Sequence, residues 1–217
     1  GWGFQLASLP SVLITQILSN VMFPAFSSVR GDRARVLSLF RATMQVTWLL
    51  SLPSALFIAE RPARSAGSVV TPTLQGSRPL LVEVQALVAP ALYGAPRRVT
   101  TGLDANRLAV LLAVLQRRAG VQVLDQDVFA SVAGGVRVDE PAVDLALCLA
   151  IVSSLRDLAV GAEFAGFGEI GLTGELRAVP RPAVRVQEAK KLGFTRVLLP
   201  AANVAHIGPE DRVGIEL

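Results

Sequence analysis

The hydrophobic and polar positions of the chain follow different patterns before and after residue 66. Residues 2–29 carry no charge, and residues 42–59 form a second uncharged stretch, with an Arg-rich segment between the two. Each stretch approaches the roughly 20 apolar residues that a helix needs to cross a bilayer. The pattern predicts an apolar helical hairpin, which is either membrane-spanning or buried as a hairpin in a soluble fold.

After residue 66, β-rich runs alternate with segments of helical periodicity. Residues 69–74 and 80–88 predict two strands of a hairpin, because a Gly-containing loop separates them. Further strands are expected at residues 128–132, 164–170 and 197–199. Strands that alternate with helices are typical of an α/β domain.

Three helices are expected in the same region. Asp104 can cap a helix that runs to Arg118, and Pro141 suits the first turn of a helix over residues 142–155, with Asp144 near its positive end. A third helix is expected over residues 184–192, with Gly193 as its terminator.

The net charge of the whole chain does not describe residues 67–217. The formal net charge is +4, but residues 1–66 contain six Arg and two acids, whereas residues 67–217 contain fifteen basic and fifteen acidic residues. The basic excess therefore lies entirely in the first third of the chain. The single Cys and single His exclude a disulfide framework and a Cys/His zinc site.

The N-terminal stretch has a resemblance of its own. Residues 6–44, LASLPSVLITQILSNVMFPAFSSVRGDRARVLSLFRATM, resemble part of a polysaccharide-exporting flippase. The positive-inside tendency would place the Arg-rich turn in the cytoplasm. If both predicted helices cross the membrane, all residues after Ala59 would then lie on its far side.

A second resemblance covers residues 67–217. It is carried by four segments that resemble the C-terminal, Lon-protease-like domain of the RadA (Sms) family of bacterial DNA repair proteins: GSRPLLVEVQALV (76–88), PRRVTTGLDANRLAVLLAVLQRRAG (96–120), DVFASVAGGVRVDEPAVDLALCLAIVSS (127–154) and GEIGLTGELRAVPRPAVRVQEAKKLGF (168–194). The resemblance implies a ribosomal-S5-domain-2-like α/β fold, shared with the Lon proteolytic domain and magnesium-chelatase-like proteins. It also implies a role in recombination, as part of a hexameric, ATP-driven motor on branched DNA.

The resemblance also locates the positions where active Lon-type domains carry their Ser-Lys dyad. The nucleophile follows an acidic-Gly-Pro turn, which is Asp139-Glu140-Pro141 here, so the serine position falls on Ala142. The lysine position falls at or near Ala183. Because neither side chain can act as nucleophile or base, we expect no proteolysis. A displaced dyad would have to use one residue from each of two neighbouring pairs: Ser153 or Ser154, and Lys190 or Lys191.

Nucleotide and metal chemistry are expected outside this chain. The sequence contains no GxxxxGK[ST] motif, so we expect no ATP hydrolysis by these residues and no bound cofactor. In the resembled family, ATP and zinc belong to upstream domains, and the full-length protein is a DNA-dependent ATPase.

The remaining functional candidates are basic side chains that could contact DNA phosphates. Such contacts need only cations on a suitable face. The alternative is a solvated surface that the acids balance. The candidates are Arg97, Arg98, Arg117, Arg118, Arg181, Arg185, Lys190 and Lys191.

The sequence thus predicts two parts: a flippase-like apolar segment over residues 1–66 and a RadA-type Lon-like domain over residues 67–217. The second part is expected to be cytoplasmic, to self-associate, as a hexamer in the full protein, and to contact single-stranded or branched DNA. Residues 1–60 would be an inner-membrane segment or a piece of another gene. Two other functions stay open: a membrane polysaccharide-flippase fragment and a Lon-like serine peptidase.

Overall fold

The computed structural model describes residues 65–217, apart from Ser77 and Tyr93. The apolar hairpin and Arg-rich turn predicted for residues 1–60 lie outside these residues. Within the described part, strands and helices alternate along the chain. Their order is β1 (Ser68–Gln75), β2 (Arg78–Pro90), β3 (Arg98–Thr101), α1 (Ala105–Arg118), β4 (Gln126–Val132), α2 (Asp144–Arg156), β5 (Phe164–Gly166), β6 (Glu169–Ile170), β7 (Leu176–Arg177), α3 (Pro182–Lys191), β8 (Arg196–Leu198), α4 (Ala201–Val204) and α5 (Pro209–Arg212).

The main sheet of the described part is mixed, in the order β3-β4-β2-β1-β5-β8. β1 and β2 form the predicted antiparallel hairpin, in which Gln75 pairs with Arg78, and β4 adds antiparallel to β2. β3 lies parallel to β4, and β5 and β8 continue parallel beyond β1. The predicted α/β class is confirmed. A separate two-stranded unit, β6-β7, lies outside this sheet.

The sheet separates two hydrophobic cores. One face packs on α1 and α2 and includes Val69, Val84 and Val128. The core on the other face includes Val70 and Phe167 together with buried residues of α3. Val69 and Val70 belong to different cores because successive strand residues point to opposite faces.

The first predicted helix is confirmed, together with its cap. The Asp104 side chain accepts a hydrogen bond from the Arg107 amide at 2.7 Å, and the helix ends at Arg118. Its leucines are buried, whereas Arg117 and Arg118 occupy the last turn. Cations at that position favour the negative end of the helix dipole.

Two predicted boundaries were wrong. Residues Pro141–Val143 form a 3₁₀ turn, so α2 begins at Asp144 rather than at residue 142. The strand expected over residues 164–170 is divided into β5 and β6. Between them, the Phe167 amide still donates to the carbonyl of Leu198, but the Gly168 amide donates to the carbonyl of Ala142 at 2.8 Å. The chain therefore turns away from the sheet toward the Pro141 turn.

Other differences are smaller. The third helix begins at Pro182, two residues earlier than predicted, and Gly193 follows it with φ +87°, as expected for a terminator. β3, β7, α4 and α5 were not predicted, and each spans four residues or fewer. Among the described helices, none combines the length and the apolar character needed to cross a bilayer.

Candidate functional site

The predicted reactive turn lies where the two cores meet. Ala142, at the serine position, is 2% exposed and belongs to the core beneath α3. Ala183, at or near the lysine position, lies in the first turn of α3. Both positions carry a methyl group, and the resemblance to Lon-type domains implies that an active domain would carry a hydroxyl and an amine there.

A buried ion pair joins the same two elements. The Arg185 guanidinium on α3 donates to both carboxylate oxygens of Glu140, from Nη1 to Oε1 at 2.9 Å and from Nη2 to Oε2 at 2.7 Å. The Arg185 side chain has no exposed surface, and that of Glu140 is 23% exposed. Arg185 was a DNA candidate on residue type alone, but the structure places its side chain inside the domain, in this ion pair.

Besides its ion pair with Glu140, the Arg185 guanidinium binds two backbone carbonyls and lies near an aromatic ring. Its Nη1 also donates to the carbonyl of Pro72 at 2.7 Å and its Nε to the carbonyl of Pro180 at 3.1 Å. The guanidinium carbon lies 5.7 Å from the ring centroid of Phe167. These contacts satisfy a buried cation, as its burial requires.

The ionised form of Glu140 is favoured despite its burial. Burial alone would raise the pKa of Glu140, but hydrogen bonds from Arg185, Thr73 and the Leu74 amide lower it by more, so the net shift is downward. The charged pair is therefore the stable state of the turn at neutral pH.

A second internal ion pair borders a cavity beside the turn. Arg107 donates from Nε to Oδ1 of Asp144 at 2.9 Å and also binds the other carboxylate oxygen, while the Asp144 side chain has no exposed surface. Asp144 also accepts from the Ile170 amide at 3.0 Å. The hydrogen bond with Asp144 is the largest cause of the raised pKa of Arg107.

The cavity has a volume of about 200 Å³ and is lined by Arg107, Asp104, Asp139 and Val143, among others. Arg107 was not singled out from the sequence. The available signal was Asp144 itself, a lone acid at the head of an otherwise apolar helix, since buried carboxylates require a partner.

The hydroxyls of Ser153 and Ser154, which a Lon-like peptidase with a displaced dyad would use, form hydrogen bonds with the backbone. Ser153 Oγ accepts from the Gly67 amide at 2.9 Å and also donates to the carbonyl of Leu158. Ser154 Oγ accepts from the Val88 amide at 3.0 Å. Neither hydroxyl contacts a lysine in the described part of the chain, so the structure gives the displaced dyad no support.

Cys148 belongs to the core. Burial is the largest cause that raises the pKa of its thiol, to about 12, so the thiol stays protonated at neutral pH. Within residues 65–217, no group of three or more His, Cys, Asp or Glu side chains is arranged to hold a metal ion.

Three of the remaining basic candidates bind nearby groups of the domain. Arg97 and Arg98 form hydrogen bonds with residues of β4 and of the segment that leads into it. Arg97 donates to Asp127 Oδ2 from Nε at 2.9 Å, and Arg98 donates from Nη2 to the carbonyl of Leu124 at 2.9 Å. The hydrogen bonds from Arg97 are the largest causes that lower the pKa of Asp127. Lys191 lies 3.4 Å from Glu188 on the same helix.

Arg117, Arg118 and Lys190 are exposed, and none forms an ion pair with a carboxylate of the described residues. Arg181 is also exposed and donates to the carbonyl of Gly76, which brings it next to the turn that carries Arg78. Sequence reasoning missed Arg78.

Two family models match the chain. A model described as polysaccharide biosynthesis protein matches residues 2–64, and one described as subunit ChlI of Mg-chelatase matches residues 106–203. The second match agrees with the magnesium-chelatase-like fold that the RadA resemblance implies.

Several curated relatives carry the same name. DNA repair protein RadA of Bacillus subtilis is 51% identical over 152 residues, which is 70% of this chain and 33% of the relative. The RadA of Aquifex aeolicus is 54% identical over 148 residues, 68% of this chain and 33% of the relative. The RadA of Escherichia coli is 51% identical over 190 residues, 85% of this chain and 41% of the relative.

The chain thus spans between a third and two fifths of the length of these relatives. The E. coli match is longer than residues 67–217 can supply, so it extends into residues before Gly67 that the polysaccharide model also covers. The boundary near residue 66 therefore stays a prediction. At about 50% identity over more than two thirds of its length, this chain belongs to the family of DNA repair protein RadA.

Proposed function

We propose that residues 67–217 form a non-proteolytic, Lon-like assembly and DNA-contacting domain of a RadA-type DNA repair and recombination protein. The observation that carries the proposal is the emptied reactive turn: Ala142 is buried, and Glu140 and Arg185 neutralise each other beside it. A domain that keeps this fold without a nucleophile or base contributes surfaces instead of chemistry. About 50% identity to RadA relatives supports DNA repair as the setting of those surfaces.

The surfaces proposed for DNA are those that carry exposed cations. Arg117 and Arg118 are adjacent and exposed at the end of α1, and Arg118 lies against the turn at Gly174. Arg181 and Arg78 form a second exposed group near Gly76. Phosphate contacts by such groups give sequence-independent, salt-sensitive binding.

Fluorescence anisotropy of the chain with a labelled single-stranded oligonucleotide between 50 and 200 mM salt tests the proposal. We expect affinity to fall as salt rises. The double change Arg117→Ala with Arg118→Ala should reduce the slope of log affinity against log salt by about 1.4, since each single-strand phosphate contact contributes about 0.7.

The matched control removes the same charge elsewhere. Arg177 and Arg196 are each 55% exposed and paired with the acids Glu175 and Glu216. The change Arg177→Ala with Arg196→Ala should leave the slope nearly unchanged. Absence of binding at 50 mM salt would refute the DNA-contact proposal, and an equal loss in both double variants would refute the assignment to α1.

A further inference from the structure

One edge of β1 has no strand partner in the described part of the chain next to the turn that carries Glu140. β5 pairs with β1 only where Ala165 lies opposite Val70, yet β1 continues to Gln75. Among the described residues, no strand lies beside Pro72 and Leu74 on the side away from β2. Open edges expose amide and carbonyl groups that can pair with any extended chain.

The side chains of Glu140 and Arg185 form hydrogen bonds with the backbone groups at this edge. The Leu74 amide donates to Glu140 Oε1 at 2.7 Å, and the Pro72 carbonyl accepts from Arg185 Nη1 at 2.7 Å. Proline has no amide hydrogen, so Pro72 adds no donor that needs a partner. A donor and an acceptor of the strand edge are thus both satisfied, as they would be by an added strand.

The two side chains also bind each other, so they hold the edge as one unit. Arg185 contributes from α3 and Glu140 from the turn that precedes α2. In the resembled Lon-type pattern the residue at the position of Glu140 is glycine, which has no side chain to reach β1. The Glu140 carboxylate, and its hydrogen bond to β1, therefore have no counterpart in the Lon-type pattern.

We propose that the Glu140–Arg185 pair is an internal substitute for a bound strand, which closes the emptied reactive site to extended polypeptide. The inference rests on the non-proteolytic part of the proposed function but concerns the closure of the site rather than DNA. Ala142, which follows Glu140 by two residues, is only 2% exposed, as expected for a closed site.

Hydrogen exchange of the Leu74 amide tests the closure. The double change Glu140→Ala with Arg185→Leu removes both charges, so no unpaired ion stays buried. We expect the Leu74 amide to exchange at least about tenfold faster than in the unchanged chain, as expected for a locally opened bond, while the Val84 amide in β2 keeps its protection. Unchanged exchange at Leu74 in a folded double variant would overturn the proposal.

Thiol labelling provides a second measurement that does not depend on the fold of that variant. In the otherwise native chain, Ala142→Cys should react with a thiol reagent as slowly as the buried Cys148. Ala113→Cys, on the exposed side of α1, is the accessible control. Labelling of residue 142 at the rate of residue 113 would show an open groove and contradict the closure. Neither measurement involves DNA, so failure here leaves the DNA-contact proposal to its own test.

Discussion

At the residue scale, the domain is organised by two ion pairs that link distant parts of the chain. Glu140 and Arg185 lie 45 residues apart in sequence, and Arg107 and Asp144 lie 37 apart. In each pair at least one side chain is completely buried. Breaking such a pair leaves a buried charge without compensation, whereas exposed pairs contribute little to stability.

Replacing Asp144 by Ala should therefore be costly. The change leaves the Arg107 guanidinium and the Ile170 amide without their acceptor. Because the Arg107 side chain is one-third exposed and water can reach it, we expect a loss of about 1–3 kcal/mol in the free energy of unfolding, measured by urea denaturation. Asp139→Ala is the matched control, because the Asp139–Arg137 pair is largely exposed and should contribute much less to stability. Equal effects would contradict the structural role of Asp144.

The lowered pKa of Glu140 predicts a specific dependence on pH. Because the folded-state pKa lies below the value of 4.5 for a free glutamate, the stabilisation is fully present above about that value. It is lost as pH falls through the folded-state pKa, when the carboxylate becomes protonated. Urea unfolding at pH 7, 4.5 and 3 should show a smaller acid-side loss for Glu140→Gln than for the unchanged chain.

Glu210→Gln, at an exposed position in α5, is the control for this pH series. It should retain the acid-side loss of the unchanged chain. If Glu140→Gln retains the same loss, then the carboxylate of Glu140 does not contribute the predicted linkage.

At the element scale, local patterns predicted most helices and strands. The α1 helix was predicted because its cap, its buried leucines and its terminal arginines are all local features. β3 was missed because its four residues alternate between half-buried and exposed positions, so it shows no apolar run. The division between β5 and β6 was missed because it depends on Gly168 binding the carbonyl of Ala142, 26 residues earlier.

The same limit applies to the candidate site. Ala142 and Ala183 could be located through the family resemblance, because the motif around them is local. Whether Arg185 faces solvent or the core depends on Glu140 and Pro72, which belong to other elements. Basic residue type alone could not separate it from Arg117 and Arg118.

At the scale of the whole molecule, residues 67–217 are proposed to contribute assembly and DNA contact to a RadA-type protein. The chain covers 33% of the B. subtilis relative and 41% of the E. coli relative, so it spans less than half of either protein. Assembly and DNA contact are the properties that can be measured on this chain alone.

Sedimentation velocity of the chain with and without a labelled single-stranded oligonucleotide measures both assembly and DNA contact. We expect a species several times the monomer mass of 22.9 kDa that carries the oligonucleotide with it at low salt. A monomer at all concentrations, with the oligonucleotide sedimenting alone, would refute both proposed roles of the domain.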